Sequence, residues 1–239
     1  MQLFDMHSHI LPGIDDGAKN VEQSVELLDA LKKQGVTNVC FTPHFYTHQL
    51  SAADFISNRD EALEILKPHI PEGMKVIAGA EVYVTRFMFN GDDFSGACFG
   101  NSRYIMTEHS YNARFTEHTM NYFSRLIDDF DMIPILPHFE RYTAIMDNPS
   151  ILYELKDMGV VIQTNASSYS KKASFFSKRK RLKFIKEGLV DILGTDTHSL
   201  THNNPYAYSE AIEYISEKAG SDIVKRMMSN SEEIFNDAL

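Results

Sequence analysis

The chain has 239 residues, of which 43% are apolar and 23% charged, and its 33 acidic side chains against 23 basic ones give a formal charge of −10. Such a chain buries a sizeable core on folding, which excludes a disordered protein. The negative charge argues against a nucleic-acid partner, because such binders depend on clustered cations. No apolar stretch approaches the roughly 18 residues of a membrane span, so we expect no membrane insertion.

The N-terminus and the cysteines predict a cytoplasmic protein. Residues 1–5 lack the basic segment and the apolar core of a signal peptide. Two cysteines, Cys40 and Cys98, are too few for a disulfide framework, so a reducing compartment is expected. Cys40 lies inside a predicted strand and is interpreted as a small core residue.

Short apolar runs alternate with amphipathic stretches along the chain, as in an α/β protein. Buried strands are predicted at residues 3–6, 36–42, 75–80, 103–107, 132–136, 160–164 and 190–194. The first helix is predicted from Asn20, its N-cap, with Gln23 at the capping-box position and Gly35 just past the end. Other helices are predicted from residue 51 and at 117–130, 150–158, 178–187, 207–218 and 222–236.

Nothing in the chain marks a domain boundary. No Pro/Gly/Ser-rich linker, repeat or low-complexity tract interrupts it. Residues 1–239 are therefore predicted to form a single domain, and a barrel-like parallel sheet is the economical way to close seven strands with intervening helices.

Metal-binding side chains lie at or just beyond the ends of six of the seven predicted strands. They are His7, His9, His44, Glu81, Glu108, His138, Asp196 and His198. In a (β/α) barrel the C-terminal ends of the strands share one edge, where catalytic residues from different strands converge. Nitrogen and carboxylate ligands without thiolates suit Mn, Fe or Zn, and a carboxylate can bridge two ions. Each motif alone is a weak signal, but together they predict a metal site.

These residues, in this order, resemble the PHP (polymerase and histidinol phosphatase) superfamily of metal-dependent phosphoesterases. Within it, the chain is similar to the bacterial protein-tyrosine phosphatases encoded with capsule and exopolysaccharide genes. The resemblance is carried by the opening segment 5–19, which contains His-Ser-His and Asp-Asp-Gly, and by motifs at 79–83, 104–108, 138–142 and 196–198. It implies a distorted seven-stranded (β/α) barrel, a TIM-like fold, with three divalent metal ions on its C-terminal face. Mn is the first expectation, with Fe or Zn as alternatives.

The resemblance also implies which residues hold each ion. One ion would be bound by His7, His9, Glu81 and Asp196. Glu81 would bridge to a second ion, which Glu108 and His138 also bind. A third would take Asp16, His44 and His198. Asp16 enters only through the family pattern, and its neighbour Asp15 is interpreted as a residue that shapes the turn.

The implied reaction is hydrolysis of a phosphomonoester by attack of metal-bound hydroxide on phosphorus. Arg141 is the candidate for gripping the phosphate, and the alternative is a surface arginine paired with Glu140. Where the family's tyrosine phosphatases carry a second arginine, this chain has Asn203, which cannot form the charge-assisted fork of a guanidinium. A protonated His202 is the candidate that would replace part of that charge.

The resemblance implies a phosphotyrosine protein as substrate, namely a bacterial tyrosine autokinase of capsule or exopolysaccharide synthesis. Two alternatives stay open: a PHP phosphatase of a small metabolite such as histidinol phosphate, and a non-catalytic metal-binding module. A cysteinyl-phosphate route is not expected, because no cysteine lies in a phosphate-binding loop.

A basic segment separates the last two predicted strands. Its cations are Lys171, Lys172, Lys178, Arg179, Lys180, Arg181, Lys183 and Lys186. A solvated helix face is the simpler interpretation. The alternative is a docking surface for an acidic or phosphorylated peptide, with Phe175 and Phe176 as apolar contacts. Three tyrosines after strand ends, Tyr83, Tyr111 and Tyr142, are expected to line the mouth of the site or to pack in the core.

Overall fold

The computed structural model describes residues 1–89, 91 and 93–239. Its strands are β1 (Phe4–Ser8), β2 (Asn38–Phe41), β3 (His44–Tyr46), β4 (Lys75–Ala78), β5 (Glu81–Tyr83), β6 (Tyr104–Glu108), β7 (Ile133–Leu136), β8 (Val161–Asn165) and β9 (Ile192–Gly194). They pair in the orders β1-β2-β4 and β3-β5-β6-β7-β8-β9, and every pairing is parallel. The predicted α/β class is confirmed.

The helices lie between and after these strands. They are α1 (Val21–Lys33), α2 (Ala52–Leu66), α3 (Glu117–Asp128), α4 (Thr143–Asp147), α5 (Ser150–Asp157), α6 (Phe175–Lys186), α7 (Ala207–Ala219) and α8 (Ser221–Asp237). The predicted cap is confirmed, since the Asn20 side chain accepts a hydrogen bond from the Gln23 amide at 3.0 Å. Helix α6 begins three residues earlier than predicted, and the short α4 was not predicted.

Two predicted strands end earlier than predicted, and each is followed by a short strand that was not predicted. The predicted strand 36–42 ends as β2, and Pro43, which has no N–H to donate, precedes the separate strand β3. The predicted strand 75–80 ends as β4, and β5 follows after Gly79, where a Cβ atom would lie 2.5 Å from the Phe99 ring. The two short strands β3 and β5 begin side by side, with His44 opposite Glu81.

The last strand meets the first just past its end. Ser8 and Thr197 form a parallel bridge, the His9 amide donates to the Thr197 carbonyl at 2.9 Å, and the Asp196 amide donates to the His7 carbonyl at 2.8 Å. The buried Asp5 carboxylate accepts from the Thr195 amide at 2.7 Å and from its hydroxyl. Strands β1 and β9, each at one end of its own sheet, are thus joined by the segments just past their carboxyl ends.

The core fills the space between sheet and helices. One apolar cluster extends from Phe4 to Phe235, and a second, around Phe45 and Phe55, packs against β5 and β6. Cys40 and Cys98 are both buried and reduced, and burial raises the pKa of the Cys98 thiol to about 12. Among the described residues, no helix has both the length and the apolar character required to cross a bilayer.

Candidate metal centre

The metal-binding side chains predicted from the sequence come together at the carboxyl edge of the strands. The structure places the donor atoms of all of them except His138 in three overlapping groups, within each of which all donor atoms lie within 4.8 Å of one another. The groups are His7, His9, Glu81 and Asp196; His9, Asp16, His44 and His198; and His44, Glu81 and Glu108.

The first group is the innermost, and its four side chains are buried. The Nε2 atoms of His7 and His9 are 3.2 Å apart, and each lies 3.3 Å from Glu81 Oε2. Asp196 Oδ1 completes the group at 3.2 Å from His9 Nε2 and 3.6 Å from His7 Nε2. Two nitrogens and two carboxylate oxygens therefore converge on one point.

Glu81 also lies beside a second set of ligands, which contact both of its carboxylate oxygens. His138 Nε2 lies 2.7 Å from Glu81 Oε1 and 3.7 Å from Glu108 Oε1. His44 Nδ1 lies 3.0 Å from Glu81 Oε2. A carboxylate in this position can bridge two cations.

The group that contains Asp16 lies at the mouth of the site. Asp16 Oδ1 is 3.4 Å from His198 Nε2 and 3.6 Å from His44 Nε2. The Asp16 side chain is 71% exposed, whereas those of His44 and His198 are 14% and 10% exposed. A cation held here would be the most accessible of the three.

Unsatisfied buried atoms show that these residues fit divalent cations. Among the described residues, Glu81 Oε2 is buried without an aligned hydrogen-bond partner, although three imidazole nitrogens lie within 3.3 Å of it. Burial alone would raise the pKa of Glu81, but the charge of His7 and the hydrogen bond between His138 and Oε1 hold it well below its usual range. An ionised, buried oxygen among nitrogen donors is a favourable position for a metal ion and a costly one without it.

Backbone strain accompanies two of these side chains. His138 has φ of +34° and Asp196 has φ of +56°, in the left-handed region that residues other than glycine rarely adopt. Such residues cost on the order of 1–3 kcal/mol each and are concentrated at functional sites. Both residues lie two positions past the end of a strand, β7 and β9 respectively.

Asp15 does more than shape a turn, so that interpretation was incomplete. Its Oδ1 accepts from the Gly17 amide at 2.9 Å, but its Oδ2 lies 2.7 Å from His9 Nδ1 and accepts from the His44 amide at 3.0 Å. Burial would raise the pKa of Asp15, but the charge and hydrogen bond of His9 lower it to about 2. The carboxylate thus keeps a proton on Nδ1 of His9 and directs Nε2 towards the cluster, as carboxylates commonly do for metal-bound histidines.

Two amide side chains hold Asp196 in a similar way. Asn165 Nδ2, at the end of β8, and Asn203 Nδ2 each donate to Asp196 Oδ2 at 2.9 Å, which leaves Oδ1 facing the histidines. The role of Asn165 was not predicted, because it follows the one predicted strand without a metal-binding residue at its end. An amide cannot replace a carboxylate as a hard ligand, but it can orient one.

Arg141 lies at the edge of the cluster. Its Nη2 is 2.5 Å from Asp196 Oδ2, and its Nη1 donates to the Tyr111 hydroxyl at 3.2 Å. Burial disfavours the charged guanidinium, but Asp196 outweighs this and raises the pKa of Arg141. The alternative pairing with Glu140 is not what the structure shows, since Glu140 accepts from Thr164, Ser168 and the Asn165 amide.

The remaining candidates divide between the mouth of the site and the core. Tyr111 is 42% exposed beside Arg141, and Tyr83 is half-buried, whereas Tyr142 is fully buried and belongs to the core. His202 is exposed, with its ring 5.6 Å from that of His198.

Four cations of the basic segment pair within the chain: Lys171 and Lys183 with the carboxylates of Glu210 and Glu187, and Lys178 and Arg181 with backbone carbonyls. Lys178 Nζ donates to the Ser170 carbonyl at 3.1 Å, and Arg181 Nη1 donates to the Ser168 carbonyl at 3.0 Å. Phe175 and Phe176 at the start of α6 are 64% and 82% exposed. The exposed part of the segment is therefore smaller than its eight cations suggest.

A sheet of parallel strands with clustered histidines and carboxylates at its carboxyl edge defines the class of TIM-barrel-like metal-dependent hydrolases. The model of the capsular polysaccharide synthesis family CpsB/CapC matches residues 3–236, and the chain belongs to that family. The resemblance inferred from the motifs is therefore confirmed.

Individual relatives agree with this assignment. The chain is 29% identical to the tyrosine-protein phosphatase CpsB of Streptococcus pneumoniae, over 99% of this chain and 100% of that protein. It also resembles a solved structure from the pair YwqE of Bacillus subtilis and CpsB of Streptococcus pneumoniae, described as unique metal-dependent tyrosine phosphatases. The TM-score is 0.84 at 25% identity, covering 99% of this chain and 96% of that one. A phosphotriesterase homology protein of Escherichia coli shares the fold, with a TM-score of 0.62 at 14% identity over 98% of both chains.

Proposed function

We propose that this protein is a metal-dependent phosphatase that hydrolyses phosphotyrosine in a protein. The observation that carries the proposal is the convergence of His7, His9, Glu81 and Asp196 around an unsatisfied buried oxygen, with Arg141 at the edge. The relatives named as tyrosine-protein phosphatases support the choice of substrate. The two features together favour hydrolysis over a module that only binds metal.

Three divalent cations are proposed, with Mn²⁺ first and Fe or Zn as other ions that the same donors accept. The proposed ligands are His7, His9, Glu81 and Asp196 for one ion, Glu81, Glu108 and His138 for the next, and Asp16, His44 and His198 for the outermost. When bound, the ions lower the pKa of coordinated water and neutralise charge on the phosphoryl oxygens.

The chain itself supplies position and charge. Asp15 and Asn165 orient His9 and Asp196, so the donors are arranged before substrate arrives. Tyr111 and Asp196 hold the Arg141 guanidinium at the edge of the cluster, where its planar fork can grip two phosphoryl oxygens. Asn203 offers a neutral amide on the same side, so one guanidinium carries the charge-assisted part of phosphate binding.

The natural substrate proposed is a bacterial tyrosine autokinase of capsule or exopolysaccharide synthesis, met in the cytoplasm. Residues 1–239 are proposed to act as one metallophosphatase domain. Both proposals rest on the membership of this chain in the CpsB/CapC family.

A substrate panel tests the function. Protein reconstituted with Mn²⁺ is assayed on a phosphotyrosine peptide, a phosphoserine peptide and histidinol phosphate. We expect the phosphotyrosine peptide to have the highest kcat/KM. Selective turnover of histidinol phosphate would favour the small-metabolite alternative, for which the neutral Asn203 gives some grounds.

The matched control is His138→Ala, which removes one proposed ligand. We expect this variant to bind less metal and to lose most of its turnover. Activity comparable to that of the unmodified protein would overturn the ligand assignment.

A further inference from the structure

Two clefts flank the metal cluster, and Leu200 belongs to the walls of both. The first, of about 500 Å³, lies between the loop after β8 and the start of α7, and its lining includes Lys171, Lys172, Asn203, Tyr206 and Glu210. We call it the Lys172 cleft. The second, of about 420 Å³, is lined by residues that include Asp16, Lys19, Glu26, His198 and His202. A protein substrate with its phosphate at the centre would extend along one of these clefts.

The Lys172 cleft is directly connected to the centre. Asn203, which lines it, donates through its side-chain amide to Asp196 Oδ2, the oxygen that also pairs with Arg141. The residues beside a phosphotyrosine gripped by Arg141 would therefore be close to this cleft.

The two clefts differ in charge. In the Lys172 cleft, Glu210 accepts a hydrogen bond from the Lys171 amide at 2.8 Å, and the Lys171 Nζ lies 3.9 Å from its carboxylate. The charges of Glu210 and Lys171 therefore balance. Lys172 is exposed and leaves one positive charge unbalanced. In the second cleft, Glu26 balances Lys19, and the charge of Asp16 is used by the outermost proposed ion. Lys172 is therefore the basic side chain in these two linings that no carboxylate of the lining matches, and an acidic segment is favoured by the first cleft.

The wall that carries Lys171 and Lys172 is held in place. Lys178 and Arg181 of α6 bind the carbonyls of Ser170 and Ser168, and the Ser168 hydroxyl donates to Glu140 Oε1 at 2.6 Å. Glu140 directly precedes Arg141 in the chain. A wall ordered before binding loses little entropy when a peptide occupies the cleft.

The cleft also offers apolar contact. Leu200 and Tyr206 are 40% and 46% exposed, and both line it. An aliphatic or aromatic neighbour of an acidic residue could pack on these side chains, while the acidic group pairs with Lys172.

From these observations we infer that the Lys172 cleft binds acidic residues next to the phosphotyrosine of the protein substrate. The inference rests on the proposed function and adds a sequence preference to it. It places the docking surface in the loop before α6, not on the outer face of α6.

Three phosphotyrosine peptides test the inference, with glutamates, neutral residues or lysines beside the phosphotyrosine, alongside p-nitrophenyl phosphate. The Mn²⁺-loaded wild-type protein should prefer the glutamate peptide to the neutral one in kcat/KM, mainly through KM, and rising salt should reduce that preference. Lys172→Glu should reduce the ratio of kcat/KM for the glutamate peptide to that for the neutral peptide by about three- to tenfold, the range expected when one exposed ion pair becomes a repulsion. The same variant should raise the ratio for the lysine peptide.

Lys19→Glu is the matched control, because it makes the same charge change in the second cleft. It should leave both ratios as they are in the wild-type protein. Equal effects of the two variants would indicate a general charge effect and overturn the inference, as would a wild-type protein that does not distinguish the peptides. A wild-type protein that hydrolyses neither the peptides nor p-nitrophenyl phosphate would contradict the proposed function itself.

Discussion

Replacing Asp15 by alanine removes three hydrogen bonds to one buried carboxylate. His9 Nδ1, the His44 amide and the Gly17 amide all lose their acceptor. Loss of a carboxylate that orients a metal-bound imidazole typically weakens metal binding by about 10–100-fold. That corresponds to about 1.4–2.7 kcal/mol. The two amides left without an acceptor should also lower the free energy of unfolding of the metal-free protein by on the order of 3 kcal/mol.

Asp15→Asn separates the two effects. An asparagine keeps an oxygen for the Gly17 amide but can place its NH₂ group against His9 Nδ1. His9 would then carry its proton on Nε2, the atom that faces the cluster. We therefore expect Asp15→Asn to lose as much metal affinity as Asp15→Ala but less stability.

Competition with a chromophoric chelator measures the Mn²⁺ affinity, and urea unfolding of the metal-free protein measures the stability. Asp29→Ala is the control, because it removes one acidic charge from an exposed position on α1. Asp15 variants that bind Mn²⁺ as tightly as this control would refute the assigned role of Asp15.

Two further predictions concern His109 and Arg141. His109 is buried beside Phe123, and burial lowers its pKa to about 3. Below pH 6.5 the His109 side chain binds a proton in the unfolded chain but not in the folded protein, so the free energy of unfolding should fall by about 1.4 kcal/mol per pH unit from 6.5 towards 3. His109→Phe should remove about 2 kcal/mol of the loss between pH 7 and 5, measured by urea unfolding. An unchanged loss in this variant would contradict the prediction. Arg141→Lys replaces a planar fork by a point charge, so kcat/KM for phosphotyrosine should fall by about 10–100-fold with metal content unchanged; an unaltered kcat/KM would exclude a role in gripping phosphate.

The sequence indicated most of the side chains that converge in the structure, but not the residues that orient them. Histidines and carboxylates after parallel strands can be recognised because strand ends share one edge and ligand types are few. The roles of Asn165 and Asp15 could not be read in this way, since an amide or a second aspartate has many uses in a loop. Their contacts depend on where Asp196 and His9 lie in three dimensions.

The same limit applies to the fold. The run of alternating strands and helices predicted the class, and Asn20 predicted the start of α1. The short strands β3 and β5 were missed because three residues are too few to show an apolar run or an alternation. The left-handed backbone at His138 and Asp196 was likewise hidden, because neither is a glycine.

The most direct test of the account is the rate of phosphate release from a phosphotyrosine peptide by protein stripped of metal, before and after Mn²⁺ is added back. We predict negligible release from the stripped protein and recovery that rises with the amount of Mn²⁺ bound. A stripped protein that hydrolyses phosphotyrosine at the full rate would contradict the central claim that the cluster around Glu81 acts through bound metal.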